Sequence, residues 1–132
     1  MLSEGWKYPA VHIEPPNERY IKIIESPEIT GYENATILFS HIPPGGTTGL
    51  HTHPDNDEIM YFVGRGEAIL DGKRSALETD SVLVAQRGVE HQCINTSKTE
   101  TLKLFCVFVP ALKISGPLEK LAEETKKFLQ EK

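Results

Sequence analysis

Two cysteines in 132 residues, Cys93 and Cys106, are too few for the disulfide framework that holds small secreted domains, so both are expected as reduced thiols. Long hydrophobic runs are missing as well. No stretch approaches the ~20 apolar residues that cross a bilayer, and the opening residues MLSEGWKYPAVHIE place no apolar segment behind a basic patch. Nor is there an excess of positive charge. Fourteen Lys and Arg against 19 Asp and Glu leave a formal charge of −5, and the bases are scattered, which argues against a nucleic-acid groove or an anionic membrane as partner. Internal repeats, low-complexity tracts and a Gly-x-Ser-x-Gly nucleophile elbow are also absent. The expectation is a cytoplasmic protein.

What is present is a chain of single-domain size with an ordinary 39 % of hydrophobic residues, enough to build a core. Short apolar runs are interrupted every eight to twelve residues by Gly, Pro, Asn or Asp, the rhythm of an all-β sandwich or barrel. Strands are expected at 10–14, 19–25, 34–42, 58–63, 66–72, 81–85, 91–95 and 102–109. Pro43-Pro44-Gly45-Gly46 cannot continue a ladder, and Asp71-Gly72 suits a tight hairpin. The tail SGPLEKLAEETKKFLQEK reads differently: Ser115 is placed to cap, Pro117 suits a first turn, and Leu118, Leu121, Ala122, Thr125, Phe128 and Leu129 recur at helical spacing. One domain over 1–132 is expected, with N-terminal strands in 1–33, the barrel in 34–110 and a C-terminal amphipathic helix over 115–130.

The chemistry concentrates in GGTTGLHTHPDNDEIMYFVGRG, residues 45–66. In an extended segment His51 and His53 project to one side with Thr52 on the other. By itself a His-x-His pair is more often surface or core histidine than ligand. Here, however, Pro54-Asp55-Asn56 makes a turn and the chain re-enters a strand led by Asp57-Glu58. Those two carboxylates face opposite ways, so one of them joins the histidines. Glu58 is favoured because it shares a face with Met60 and Phe62 and reaches further. A second cluster, RGVEHQCIN, has Gly88 for a sharp turn and His91 at the head of a strand. Three imidazoles and a carboxylate suit one divalent transition metal ion, Fe, Mn, Ni, Zn or Cu.

These residues resemble the two motifs of the cupins. Gly45, His51, His53 and Glu58 follow the first in order, and Gly88, His91 and Asn95 reproduce the latter half of the second. The sequence departs from the pattern in turns. Five residues separate Glu58 from Gly64, or seven from Gly66, where the family has six; Thr79-Asp80 stands for Gly-Asp, and Ala85 or Gln86 for the proline. The resemblance implies a double-stranded β-helix, or jelly-roll barrel, with the metal inside, held by His51, His53 and Glu58 from one hairpin and His91 from another. It also implies a homodimer, for which Trp6, Tyr8 and the C-terminal helix are the candidate surface; a local cap over the barrel end is the other reading of Trp6 and Tyr8.

Met60, Phe62 and Cys93 are expected to line a pocket beside the ion, with core packing as the plain alternative. Cys106 is expected in the core, His12 and His41 in structural positions, and Arg65 and Arg87 in solvent or reaching for a substrate anion. Functionally, the ligand set points to a metal-dependent enzyme acting on a small organic molecule, of dioxygenase, isomerase, decarboxylase or lyase type. The alternative is a cupin that binds a sugar or organic acid without turning it over.

Overall fold

The computed structural model describes residues 1–131. Nine strands run in chain order as β1 (Val11–Ile13), β2 (Arg19–Glu25), β3 (Thr36–Ile42), β4 (Asp57–Val63), β5 (Gly66–Leu70), β6 (Lys73–Leu77), β7 (Val82–Ala85), β8 (His91–Ile94) and β9 (Leu102–Val109). Two helices join them, α1 (Pro27–Thr30) and α2 (Pro117–Gln130), and a single 3₁₀ turn spans Gly5–Lys7. Six strands form one sheet in the order β1-β2-β3-β9-β4-β7, and three form the other, β6-β5-β8. Isolated bridges Thr47↔Ile94 and His51↔His91 lay the segment after β3 along the free edge of β8 and so widen the smaller sheet. The outcome is the expected all-β double-stranded β-helix with a C-terminal helix.

Period-two patterning builds the interior. Along β4 burial alternates without a break, so Glu58, Met60 and Phe62 face inward and Asp57, Ile59, Tyr61 and Val63 outward. β3 and β9 repeat the pattern, sending Leu38, Ser40 and Ile42 and then Leu104, Cys106 and Phe108 into the same space. Apolar side chains from both sheets meet there with Ile23, Ala68, Leu77, Ala85 and Leu102. Burying a Leu, Ile or Phe in such a core stabilises by roughly 1.5–3 kcal/mol each.

Three expectations need correction. The hairpin strand β6 was not anticipated, because Lys73, Arg74, Ser75 and Ala76 are all exposed and carry no apolar alternation; only its pairing with β5 defines it. β3 and β4 are not a hairpin: β9 lies between them, and Pro43-Pro44 ends β3 so that residues 43–56 cross to the edge of the small sheet and return to the large one at β4. At α2 the cap is Gly116, with φ +60° and no side-chain bond, in place of Ser115. Pro117 does stand at the first turn, and α2 buries Leu121, Ala122 and Thr125 against the barrel. Asp80, in the Thr79-Asp80 stretch, adopts a left-handed φ of 76°, a conformation that Asp tolerates better than most side chains. Tyr8 is buried, its ring 5.7 Å from that of Phe128 in α2, whereas Trp6 is 72 % exposed. Tyr8 therefore caps locally. Among the described residues no helix is long and apolar enough to cross a membrane.

Candidate metal centre

The crossover 43–56 brings two histidines to the wall of the barrel. His51 sits opposite His91, and His53 follows in irregular backbone. Gly88, at φ +75°, turns the chain before β8 and donates its N–H to the His53 carbonyl at 3.0 Å, tying the second cluster to the first. Asn95 closes the far end of β8. Its buried amide donates to the carbonyls of Ile42 and Glu100, both at 2.8 Å, and its Oδ1 accepts the N–H of Ser97. Its part is structural.

His51, His53, Glu58 and His91 each offer one ligand atom, and these atoms all lie within 4.8 Å of one another. Nε2 of His53 and Nε2 of His91 stand 3.2 and 3.1 Å from the same oxygen, Glu58 Oε1. The Nδ1–H of His51 donates to the Gly49 carbonyl at 2.8 Å, and that of His91 to Val89 at 3.0 Å, which turns both Nε2 atoms toward the centre. Edge contact with Phe108, ring centroids 5.0 Å apart, fixes the His53 plane.

The electrostatics follow from this packing. Burial alone would raise the Glu58 carboxyl, but hydrogen bonds from His53 and His91 and their charges outweigh it and hold the group at about 2. For His91, burial acts downward, while the bonds to Glu58 and Val89 and the carboxylate charge outweigh it, so its pKa is raised. His51 lies lower than usual, chiefly through burial. Neutral imidazoles, a carboxylate and converging lone pairs fit a borderline divalent ion.

Between Asp57 and Glu58 the strand decides. Asp57 faces out, where its Oδ1 accepts the backbone N–H of Arg87 at 2.9 Å and pairs with the guanidinium at 3.5 Å. Met60 and Cys93 line the cavity beside the cluster, with Cys93 Sγ 4.0 Å from Met60 Sδ. Phe62 does not. It is completely buried in the core, two residues further along β4 than Met60 and beyond the cavity wall. Cys106 belongs to the core and also faces the cavity. Burial pushes the Cys93 thiol up to about 12 and the Cys106 thiol well above its ordinary value, so neither is a thiolate nucleophile. His12 bonds Glu18 at 2.7 Å, and His41 lies on the outer face by Phe39; both stand apart from the cluster. Arg65 pairs with Glu78 in solvent. Sequence reasoning missed Arg19, Ser40 and Thr48, which line the cavity.

A family model described as the cupin domain matches residues 38–108. The chain belongs to the cupin family. This cupin is 32 % identical over 100 residues to the uncharacterized protein L612 of Acanthamoeba polyphaga mimivirus, the match covering 72 % of this chain and 59 % of that protein. The chain thus spans less than two thirds of that relative's length. Among solved structures, a predicted oxalate decarboxylase of Thermotoga maritima superposes with a TM-score of 0.75 at 23 % identity, over 83 % of this cupin and 99 % of that chain. KdgF from a Halomonas species gives 0.70 at 20 % identity, over 83 % and 93 %. An RmlC-like cupin of Shewanella frigidimarina gives 0.70 at 15 %, over 85 % and 92 %. At these identities the likeness is one of fold.

Proposed function

We propose that this cupin is a metal-dependent enzyme acting on a small organic molecule, with His51, His53, Glu58 and His91 holding one divalent transition metal ion. The observation that carries the reading is the convergence of four donor atoms within 4.8 Å of one another at the wall of an otherwise largely apolar cavity. An ion bound there supplies Lewis-acid polarisation of a substrate oxygen or, if redox-active, a site for dioxygen chemistry. The chain's own contributions are plain. Glu58 brings the one negative charge of the set, the Gly49 and Val89 carbonyls orient the imidazoles, and Met60, Leu104 and Phe108 keep bulk water from the centre.

A second reading, a cupin that binds without chemistry, has one observation in its favour. Outside the four-residue set, the cavity lining holds no carboxylate or imidazole, and its two thiols stay protonated. Elemental analysis of untagged protein, parent and His91→Ala, tests the metal site: near one equivalent in the parent and loss in the variant are expected. Product analysis after incubating the metal-loaded protein with candidate small molecules then separates the readings. If ligands bind and all return intact, catalysis is the wrong reading.

A further inference from the structure

Besides Thr48, whose hydroxyl donates to the Gly49 carbonyl and accepts the Cys93 N–H, the cavity holds two polar groups that the four-residue cluster does not use. Ser40, on the inner face of β3, is 6 % exposed, and its Oγ has no hydrogen-bond partner among the described residues. A buried hydroxyl left in this state is destabilising unless something else meets it. The other group is Arg19, the first residue of β2. The chain has four arginines. Arg65, Arg74 and Arg87 lie on the surface and pair with Glu78, Glu67 and Asp57. Arg19 faces the cavity and has no carboxylate partner among the described residues; Nη1 donates to the Asn17 carbonyl at 2.9 Å, which uses one of its five N–H groups.

Register brings the two together. Ile21 is directly opposite Ser40, so Arg19, two residues earlier on the same face of β2, is the diagonal neighbour of Ser40. Between these two groups and the cluster the wall is mostly apolar, with Ile21, Leu38, Leu104, Phe108 and Leu112. The cavity measures ≈ 150 Å³, and a space of that order admits a molecule of about the size of benzene.

We propose that Arg19 and Ser40 form an anion-binding end of the cavity, and that the molecule taken there is a small carboxylic acid. Its carboxylate meets the guanidinium and the hydroxyl, a short apolar body fills the middle, and a second oxygen faces His51, His53, Glu58 and His91. A guanidinium fork matches the two oxygens of a carboxylate. One Arg and one hydroxyl suit a monoanion, and the Glu58 carboxylate across the cavity disfavours a dianion such as a phosphate monoester. This proposal rests on the metal-centre reading only for the placement of the second oxygen.

The test is calorimetric binding of short-chain oxo and hydroxy acids, each beside its primary amide, to metal-free and to zinc-loaded protein. At least one acid is expected to bind about ten-fold more tightly than its amide, the scale of one charge-assisted contact. Arg19→Met removes that preference, Arg19→Lys keeps part of it, and neither changes metal content. Ser40→Ala weakens acid binding and raises the unfolding temperature of the metal-free protein, because the unpartnered hydroxyl is gone. Equal binding of acids and amides, no binding of any acid, or a preference that survives Arg19→Met overturns the proposal. Acid preference in a protein that takes no metal would sink the metal reading and leave this one standing; a metal-loaded protein indifferent to acids would do the reverse.

Discussion

His51 and His91 exchange both backbone hydrogen bonds, His51 N–H to the His91 carbonyl at 3.0 Å and His91 N–H to the His51 carbonyl at 2.9 Å. They form a hydrogen-bonded antiparallel pair with rings on the same face, centroids 4.3 Å apart. The two motifs, 40 residues apart in sequence, are thus joined at main-chain level, and the distance between two of the four donors is set by sheet geometry.

Replacing Glu58 by Gln leaves that pairing intact and removes the one anionic donor. Metal affinity is expected to fall by more than the ~10–100-fold typical of changes behind the ligands. Asp57→Asn, on the outer face, leaves affinity unchanged. Competition with a chromogenic chelator measures both, and equal losses would show that the outward carboxylate takes part.

The metal-free protein should lose stability in acid through the same group. With its folded value near 2 against an ordinary 4.5, Glu58 binds fewer protons folded than unfolded. Its contribution, up to about 3 kcal/mol, is present above pH 4.5 and lost as pH falls toward 2. His91, raised in the fold, acts oppositely, stabilising below its unfolded value and ceasing to do so as pH climbs past the raised one. Urea midpoints of parent and Glu58→Gln, compared over the acid interval, should converge as pH drops. A constant gap would mean that the imidazoles do not hold the carboxylate.

Asn95→Ala should destabilise by about 3 kcal/mol, since three hydrogen bonds disappear and the Ile42 and Glu100 carbonyls lose their donor, the first of them in the buried interior. Metal stoichiometry of the folded protein should persist, because Asn95 contributes no donor to the cluster. Chemical denaturation with parallel metal analysis reads both quantities.

Leu121→Ala tests the docking of α2. Leu121 is 1 % exposed, and its truncation should cost about 2–5 kcal/mol. Leu129, half-buried near the end of the helix, should cost less on the same change. A neutral Leu121→Ala, seen by thermal unfolding, would show that the helix is not held on the barrel.

Both thiols should resist alkylation near pH 8 in the folded protein and react once it is unfolded, because burial holds Cys93 at about 12 and Cys106 well above its ordinary value. Mass spectrometry after iodoacetamide treatment is the readout, and rapid native labelling of Cys93 would contradict the burial of its thiol.

The sequence made the four-residue cluster legible because alternation sets the face of a side chain and the spacing of the histidines is distinctive. Alternation does not give depth. Met60 and Phe62 share a face, yet only Met60 reaches the cavity, since position along a strand relative to a cavity depends on how the sheets are stacked. Arg19 was hidden for a related reason. Its face could be read from Arg19, Ile21 and Ile23, but an arginine at the start of RYIKIIE resembles a solvated strand end until β2 is seen to border the cavity. β6 had no signal of its own to read, being an exposed edge defined by its partner.

The cavity wall has two origins. His51, His53, Glu58 and His91 all lie inside residues 38–108, whereas Arg19 and Ile21 come before that span and Leu112 and Leu118 after it. All four donor residues are therefore written in the central span, while part of the surface that meets a guest, Arg19 included, is written outside it. A relative that kept the central span and exchanged its flanks would keep the same donors under a partly different wall, and grafting residues 1–37 and 109–131 between two such proteins would carry across the flanks' share of selectivity without touching a ligand atom.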